Sequence, residues 1–303
     1  MLKKIKNNTE WIGFAFALLA VALWSGNFVV ARGLSTSIAP VSLSFYRWLV
    51  AVVVFTPFAL PSIIKDWQAI KKHFKYLAIT ALLGISLFNT LIYYAGHTTT
   101  AINLSLIALT FPVFIILISS LFFKEKITLI KLAGIIIVLS GVLLIISKGD
   151  YSVLLGLTFN TGDPLMLMAA FVFAVHSMLV KNKPKAIKVI SFQYMTFLLG
   201  LIFLLPFYLQ TKEPGLGFEW QSHTIIAILY VGIFSSLFSF VLWNKAIEKI
   251  GAPSAGMIYF LMPLFSGFVS WMIIDERLRY YHLISGILIV AGILIANKKR
   301  KSS

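Results

Sequence analysis

The chain has 303 residues, of which 59% are hydrophobic and 12% charged, and its mean hydropathy is +0.94. A soluble domain carries about twice that fraction of charged residues, so the composition excludes a soluble globular protein and indicates an integral membrane protein. The absence of cysteine excludes disulfides, thiolate catalysis and cysteine-ligated metals.

Apolar stretches long enough to span a membrane occupy nearly the whole chain. A helical span needs about 20 apolar residues, and glycine, proline and charge clusters divide the sequence into ten such stretches. Alternating strands of about 10 residues, the pattern of a membrane barrel, are absent. The sequence therefore predicts an all-α integral membrane protein. Its ten predicted spans are 11–32, 41–60, 74–95, 99–123, 127–147, 162–181, 188–209, 223–244, 252–274 and 278–297.

The basic residues are distributed unequally between the two sides of the membrane. With the N-terminus in the cytoplasm, 20 of the 26 Lys and Arg residues fall in cytoplasmic segments, five fall outside, and Arg47 lies within a span. This bias predicts that both termini lie in the cytoplasm, and we expect a multi-pass protein of the plasma membrane. It also explains the net charge of +16 as a topology signal, with contact to anionic lipid headgroups as a secondary effect. We therefore expect no nucleic-acid partner.

The two halves of the sequence repeat each other. The segment "FPVFIILISSLFFKEKITLIKLAGIIIVLSG" (111–141) matches "MPLFSGFVSWMIIDERLRYYHLISGILIVAG" (262–292) at an offset of 151. A weaker match at an offset of 149 relates the fronts of the halves. It places Trp24 over Phe173, Asn27 over His176 and Arg47 over Thr196.

The repeat predicts the domain organisation. Five spans per half force the halves into opposite orientations, because five is odd. We expect a first five-helix repeat at 1–147, a linker at 148–161 and a second repeat with a basic cytoplasmic tail at 162–303. Inverted repeats of this kind are typical of secondary transporters, whose substrate binds near the midplane between the halves.

The motifs in these spans resemble those of the EamA-type drug/metabolite transporter superfamily. The resemblance rests on "FPVF…FFKEKIT" and "MPLF…IIDERLR", in which a proline is followed 13 positions later by glutamate, and on "LWSGNFVVAR" and "LSFYRWLVA" in the first two spans. It covers almost the whole chain and implies alternating access around a central cavity. That cavity would lie among spans one, three, four, six, eight and nine, with spans five and ten at the periphery. The second repeat departs from the first in having Phe173 and Thr196 in place of Trp and Arg.

Catalytic machinery is missing from the predicted spans. The chain has 10 Asp and Glu residues, and none lies in the middle of a span. Without paired carboxylates, clustered histidines or a cysteine nucleophile, acid/base and metal-assisted catalysis have no residues to act. We therefore predict that the protein is not an enzyme and has neither a cofactor nor a metal site.

Polar and aromatic residues at helical spacing predict a substrate cavity. Such groups in membrane helices also serve simply to hold helices together, but several facing one another beside aromatic rings favour a site for a small amphiphilic solute. His176 is either a pore residue that titrates near neutral pH or a packing residue bonded to a neighbouring group. The predicted substrate-binding residues are Trp24, Asn27, Ser86, Asn89, Tyr93, Asn103, His176, Ser239, Trp243 and Tyr259.

Five residues are predicted to serve gating or structure. Arg47 either forms an internal pair, contacts the substrate or reaches outward to the interface. Pro112 and Pro263 remove a backbone hydrogen bond and bend their helices at equivalent places. Glu125 and Glu276 end their spans and pin the helix ends.

Together these features predict a secondary transporter that moves small metabolites by alternating access, with efflux of amino acids or related compounds as the first hypothesis. An importer or facilitative exchanger of the same fold, and a membrane receptor or partner subunit that transports nothing, remain alternatives. A single chain is expected to suffice for transport. Ser285, Gly286 and Gly292 give the last span a small-residue face that packs within the monomer or forms a homodimer seam.

Overall fold

A computed structural model describes residues 2–34, 38–99, 101–123, 128–147, 149–156, 160–210, 221–265, 268 and 280–297. In these ranges the chain is built from helices, as the composition predicts. In chain order they are α1 (Leu2–Gly33), α2 (Pro40–Lys72), α3 (Phe74–Thr98), α4 (Ala101–Ala108), α5 (Thr110–Phe123), α6 (Leu129–Ile146), α7 (Tyr151–Leu155), α8 (Asp163–Lys181), α9 (Val189–Gln210), α10 (Ser222–Ile250), α11 (Ala252–Tyr259) and α12 (Tyr280–Ala296).

Seven helices in the described part of the chain are long and apolar enough to cross a membrane. They are α2, α3, α6, α8, α9, α10 and the segment Thr9–Asn27 of α1. Three shorter apolar segments, Leu106–Phe122, Ala252–Phe265 and Tyr280–Ala296, fall where spans four, nine and ten are predicted. Helix α2 has 33 residues, about 50 Å at 1.5 Å per residue, so it extends beyond a hydrocarbon core of about 30 Å.

Two of the predicted spans are interrupted three residues before a proline. The predicted span 99–123 divides into α4 and α5 at Leu109, ahead of Pro112. The helix also breaks at residues 260–261, ahead of Pro263. Because proline has no amide hydrogen, the carbonyl four residues earlier loses its helical partner, and the helix is weakest there. The two breaks lie at corresponding places in the two halves of the sequence.

Two further irregularities also correspond. Helix α3 is π-helical over Leu82–Leu87, and α10 is π-helical over Val231–Phe238. Each π-helical stretch contains a glycine against which a neighbour packs. A Cβ on Gly232 would come within 2.6 Å of Val50 Cγ1 on α2. A Cβ on Gly84 would overlap the His176 ring of α8. The missing side chains therefore allow α2 and α8 to approach the π-helical stretches closely.

The two halves of the chain interleave. Helix α1 packs against the last part of α10, α2 against α9, and α3 against α8. Helix α6 packs along α12, away from the other helices. The largest buried side chains therefore lie between the halves, among them Trp48, Trp243, Phe111, Phe197 and Phe240.

The pairing of α6 with α12 depends on glycine at the contact. A Cβ on Gly292 would lie 2.6 Å from the Gly134 carbonyl oxygen, whereas a Cβ on Gly286 would meet nothing nearer than Leu264 Cδ2 at 3.8 Å. The face that contains Ser285 and Gly292 is thus packed within the monomer.

We expect Gly292→Ala to lower the free energy of unfolding by about 1–3 kcal/mol, since the added methyl group forces the two backbones apart. The matched control is Gly286→Ala in the same helix, where alanine has space and the higher helix propensity. Thermal unfolding of the purified variants in detergent checks this. Equal melting temperatures for the two variants would contradict the packing described.

Candidate functional site

The guanidinium group of Arg47 is completely buried between four helices. Its Nη1 donates to Asn89 Oδ1 at 2.7 Å, to Tyr93 Oη at 2.6 Å and to Asn27 Oδ1 at 3.1 Å. Asn27 lies on α1, whereas Asn89 and Tyr93 lie one turn apart on α3. A charge at this depth would be very costly without hydrogen bonds. These acceptors therefore position three helices of the first half around one side chain.

The remaining bonds of Arg47 go to α10, in the second half. Nε donates to Ser236 Oγ at 2.7 Å, and Nη2 donates to the Ser235 carbonyl oxygen at 3.3 Å. All five acceptors are neutral oxygens. Among the residues described, none of the acidic side chains pairs with Arg47. The site thus contains a buried positive charge with hydrogen-bond partners and no counter-ion.

The π-helical stretch of α10 provides these acceptors. Ser236 Oγ donates to the Val231 carbonyl oxygen, five residues back, and so presents its own oxygen to Arg47. The Ser235 carbonyl oxygen also accepts from Trp24 Nε1 at 2.8 Å. A π-helical turn frees backbone carbonyls from the usual helical pattern. The Ser235 carbonyl oxygen is thus an acceptor that Arg47 and Trp24 share on α10.

A small cavity of about 20 Å³ lies beside this cluster. A volume of that size holds about one water molecule. The lining residues combine aromatic rings, two amides and two aliphatic side chains from both halves of the chain. They are Trp24, Asn27, Phe88, Asn89, Ile92, Phe173, Tyr259 and Met262.

The floor of the cavity is a cluster of aromatic rings centred on Trp24. Its ring centroid lies 5.2 Å from Trp243, 5.5 Å from Phe173 and 6.2 Å from Tyr259. Phe88 stacks on Phe173 at 4.1 Å. The aromatic rings and the amides of Asn27 and Asn89 line the same cavity, so its surface combines apolar and polar groups.

Of the ten predicted substrate-binding residues, the structure brings Trp24, Asn27, Asn89 and Tyr259 to the cavity. Tyr93 binds Arg47 next to it. Trp243 packs beneath Trp24 and donates to Ser177 Oγ at 3.3 Å. The predicted residues that lie at the cavity thus come from both halves of the chain.

Four of the predicted residues lie elsewhere. Ser86 donates to the Gly200 carbonyl oxygen at 2.9 Å, and Ser239 donates to the Phe234 carbonyl oxygen of its own helix. His176 on α8 is completely buried against α3, and its Nδ1 lies 3.2 Å from the Thr80 carbonyl oxygen. Its ring stacks on Phe173 rather than lining the cavity. Asn103 binds Asp163 through Nδ2 at 2.9 Å.

Asp163, which is not among the predicted site residues, is a buried carboxylate at the start of α8. It accepts hydrogen bonds from Thr99 Oγ1, from Asn103 Nδ2 and from the backbone N–H of Asn160, the last at 2.8 Å. Thr99 and Asn103 flank the turn between α3 and α4, so Asp163 ties the two halves together. The signal in the sequence was "TGDP", an acidic residue followed by proline where a helix begins.

The predicted gating residues divide into two groups. Arg47, Pro112 and Pro263 lie among the described residues, at the buried cluster and at the two helix breaks. Glu125 and Glu276 lie outside the described residues. The described part of the chain holds no group of three or more His, Cys, Asp or Glu residues arranged to bind a metal ion.

Comparison with known proteins gives concordant matches. The model of the EamA-like transporter family matches residues 11–147 and again 160–298. An uncharacterized transporter of Archaeoglobus fulgidus is 28% identical over 93% of this chain and 96% of its own length. The uncharacterized transporter YyaM of Bacillus subtilis is 24% identical over 92% of each chain. A crystal structure with 16% identity superposes with a TM-score of 0.75 over 96% of both chains, which supports the fold.

We expect Asp163→Asn to lower the free energy of unfolding by about 1–3 kcal/mol, because an amide nitrogen would then face donors that now bind carboxylate oxygen. Asp150→Asn is the matched control. Asp150 is exposed, and hydrogen bonds from the Ser152 hydroxyl and amide hold the pKa of its carboxyl below the usual value. Thermal unfolding should show a lower melting temperature for Asp163→Asn only. If both variants melted like the wild type, Asp163 would not tie the halves together.

Proposed function

This chain belongs to the EamA-like transporter family, and we propose that it is a secondary transporter that exports amino acids or related small metabolites by alternating access. Ten spans, arranged as inverted repeats at 1–147 and 162–303, would carry out the cycle. The protein would lie in the plasma membrane with both termini in the cytoplasm, as the distribution of Lys and Arg favours.

The observation that carries this proposal is the small cavity between the halves. Pockets for drug-sized ligands measure about 300–1,000 Å³, whereas this cavity measures about 20 Å³. A metabolite can enter only if the surrounding helices separate. The cavity is lined by aromatic and amide groups from both halves, so separation of the halves would open it. This is the change that alternating access requires.

The helix irregularities support the same cycle. The breaks at Leu109 and at residues 260–261, and the π-helical stretches Leu82–Leu87 and Val231–Phe238, all lie in helices that meet near the cavity. Backbone that lacks regular helical bonds bends at lower cost than a regular helix. Each irregularity has a counterpart in the other half. Such pairs would allow one half of the protein to open while the other closes.

The lining favours small amphiphilic solutes. Trp24, Phe88, Phe173 and Tyr259 provide an apolar surface, and Asn27 and Asn89 provide hydrogen bonds. Amino acids and related compounds combine these two requirements. We propose efflux as the direction because the family that the chain resembles includes exporters of amino acids and other small metabolites.

Proteoliposome counterflow tests the transport proposal. Vesicles loaded with an unlabelled solute should accumulate the labelled form of the same solute, for at least one member of a broad panel of amino acids and metabolites. Export is then tested by comparing retention of that solute in cells with and without the protein. Absence of counterflow for every solute in the panel would favour a receptor or partner subunit instead.

A substitution that fills the cavity should block transport without unfolding the protein. Ile92 is 1% exposed and lines the cavity, whereas Ile79 on the same helix is 55% exposed. We expect Ile92→Phe to reduce counterflow by about tenfold or more, and the matched change Ile79→Phe to leave it near the wild-type rate. Equal rates for the two variants would place the solute pathway elsewhere.

A further inference from the structure

The buried charge of Arg47 is satisfied by hydrogen bonds but is not neutralised. Its five acceptors are two amide oxygens, two hydroxyl oxygens and one backbone carbonyl oxygen. A carboxylate adds what these acceptors lack, namely the attraction between opposite charges and two oxygens that can accept parallel hydrogen bonds from the guanidinium. An entering carboxylate would therefore replace a neutral acceptor and neutralise the charge.

The hydrogen-bond pattern leaves room for such an exchange. Nη1 has two hydrogens but three acceptors within 3.1 Å, namely Asn27, Asn89 and Tyr93. One acceptor can leave without any Nη1 hydrogen losing its partner. Nη2 also has two hydrogens, and its single acceptor, the Ser235 carbonyl oxygen, lies at 3.3 Å. The guanidinium thus retains capacity to donate to a ligand.

The cavity reaches the side chains that surround this guanidinium. Asn27 and Asn89 both line the cavity and both accept from Arg47. Asn89 is 1% exposed, and its Nδ2 has no hydrogen-bond acceptor among the described residues. A buried donor without a partner is rare in a native structure. A carboxylate oxygen in the cavity would supply the acceptor that Asn89 lacks.

We propose that the transported solutes carry a carboxylate that binds Arg47 and Asn89, with an apolar body against Trp24, Phe88 and Phe173. The inference rests on the proposed function of the same site. The lining residues include no acidic side chain, so an ammonium group of the solute would meet only neutral oxygens and aromatic faces, and no negative charge. The carboxylate is therefore required, and the amino group is not.

Matched solutes separate these two requirements. For the leucine, phenylalanine and methionine side chains, each set comprises the amino acid, the carboxylic acid without the amino group, and the amine without the carboxylate. Binding is measured by thermal shift of the purified protein, because a ligand that binds the folded state raises its apparent stability. Transport is measured by competition and counterflow in proteoliposomes.

We expect the amino acids and the carboxylic acids of at least one set to bind and to be exchanged, and the amines to do neither. Amines that bind as well as the acids would overturn the proposal. Exchange of only carboxylate-free solutes, such as sugars or nucleosides, would also overturn it while leaving the transport function standing. Absence of exchange for every solute would instead contradict the transport function.

Variants of Arg47 distinguish a binding role from a purely structural one. Arg47→Gln removes the charge, and Arg47→Lys keeps the charge but loses the planar fork of donors. Selectivity here is the ratio of the affinity for a carboxylic acid to the affinity for its matched amine. We expect this ratio to fall by about tenfold to a hundredfold in Arg47→Gln and by less in Arg47→Lys. Lys71→Gln removes a charge from the exposed end of the same helix and should leave the selectivity unchanged.

If Arg47 has only a structural role, its variants will melt at a lower temperature and keep the wild-type selectivity. That result would overturn the proposal. Should Arg47→Gln fail to fold, the comparison of acids with amines on the wild-type protein and on Arg47→Lys still decides the question. In that case, equal affinity of the wild type for acids and amines is the contradicting result.

Discussion

A single buried cation constrains much of this structure. The guanidinium of Arg47 lies where lipid and protein provide little solvation, so the chain must surround it with oxygen atoms. Those atoms come from α1, α3 and α10, in both halves of the sequence. Helix α10 meets the requirement by becoming π-helical, and Gly232 allows α2 to lie close enough for the bonds to form. The position of the aromatic cluster follows, because Trp24 shares the Ser235 carbonyl oxygen with Arg47.

The irregularities of the helices occur in pairs. Helix α3 is π-helical where α10 is, and the predicted spans that contain Pro112 and Pro263 each break three residues before that proline. The paired positions make different contacts, however. In α10 the π-helical stretch provides acceptors for Arg47, whereas in α3 it provides space at Gly84 for the His176 ring. The π-helical conformation thus supports the hydrogen bonds of Arg47 in α10 and close packing in α3.

The sequence was most informative where a rule of helical spacing or membrane burial applied. Hydropathy predicted the helical architecture, and the spacing of Asn89 and Tyr93 correctly placed both side chains on one face of α3. The π-helical stretches had no such signal, because they arise from contacts between distant helices rather than from local composition. Regular helical spacing therefore predicts Ser86 and Ser239 in the cavity. In the structure Ser86 donates to the Gly200 carbonyl oxygen on α9, and Ser239 donates to the Phe234 carbonyl oxygen of its own helix. Asp163 was missed because it lies at a helix end, where an acidic residue usually has only a local role.

The lack of a counter-ion for Arg47 among the described residues also has an electrical consequence. A charge that moves through the full membrane potential does work of about 2.3 kcal/mol per 100 mV. The empty protein carries the charge of Arg47 at membrane depth. A bound carboxylic acid without an amino group would cancel that charge, whereas a zwitterionic amino acid would leave the net charge unchanged. Thr196, which is neutral, stands at the corresponding position of the second half. Membrane voltage would therefore distinguish the loaded from the empty protein when the solute is a carboxylic acid without an amino group, and would not distinguish them when it is an amino acid.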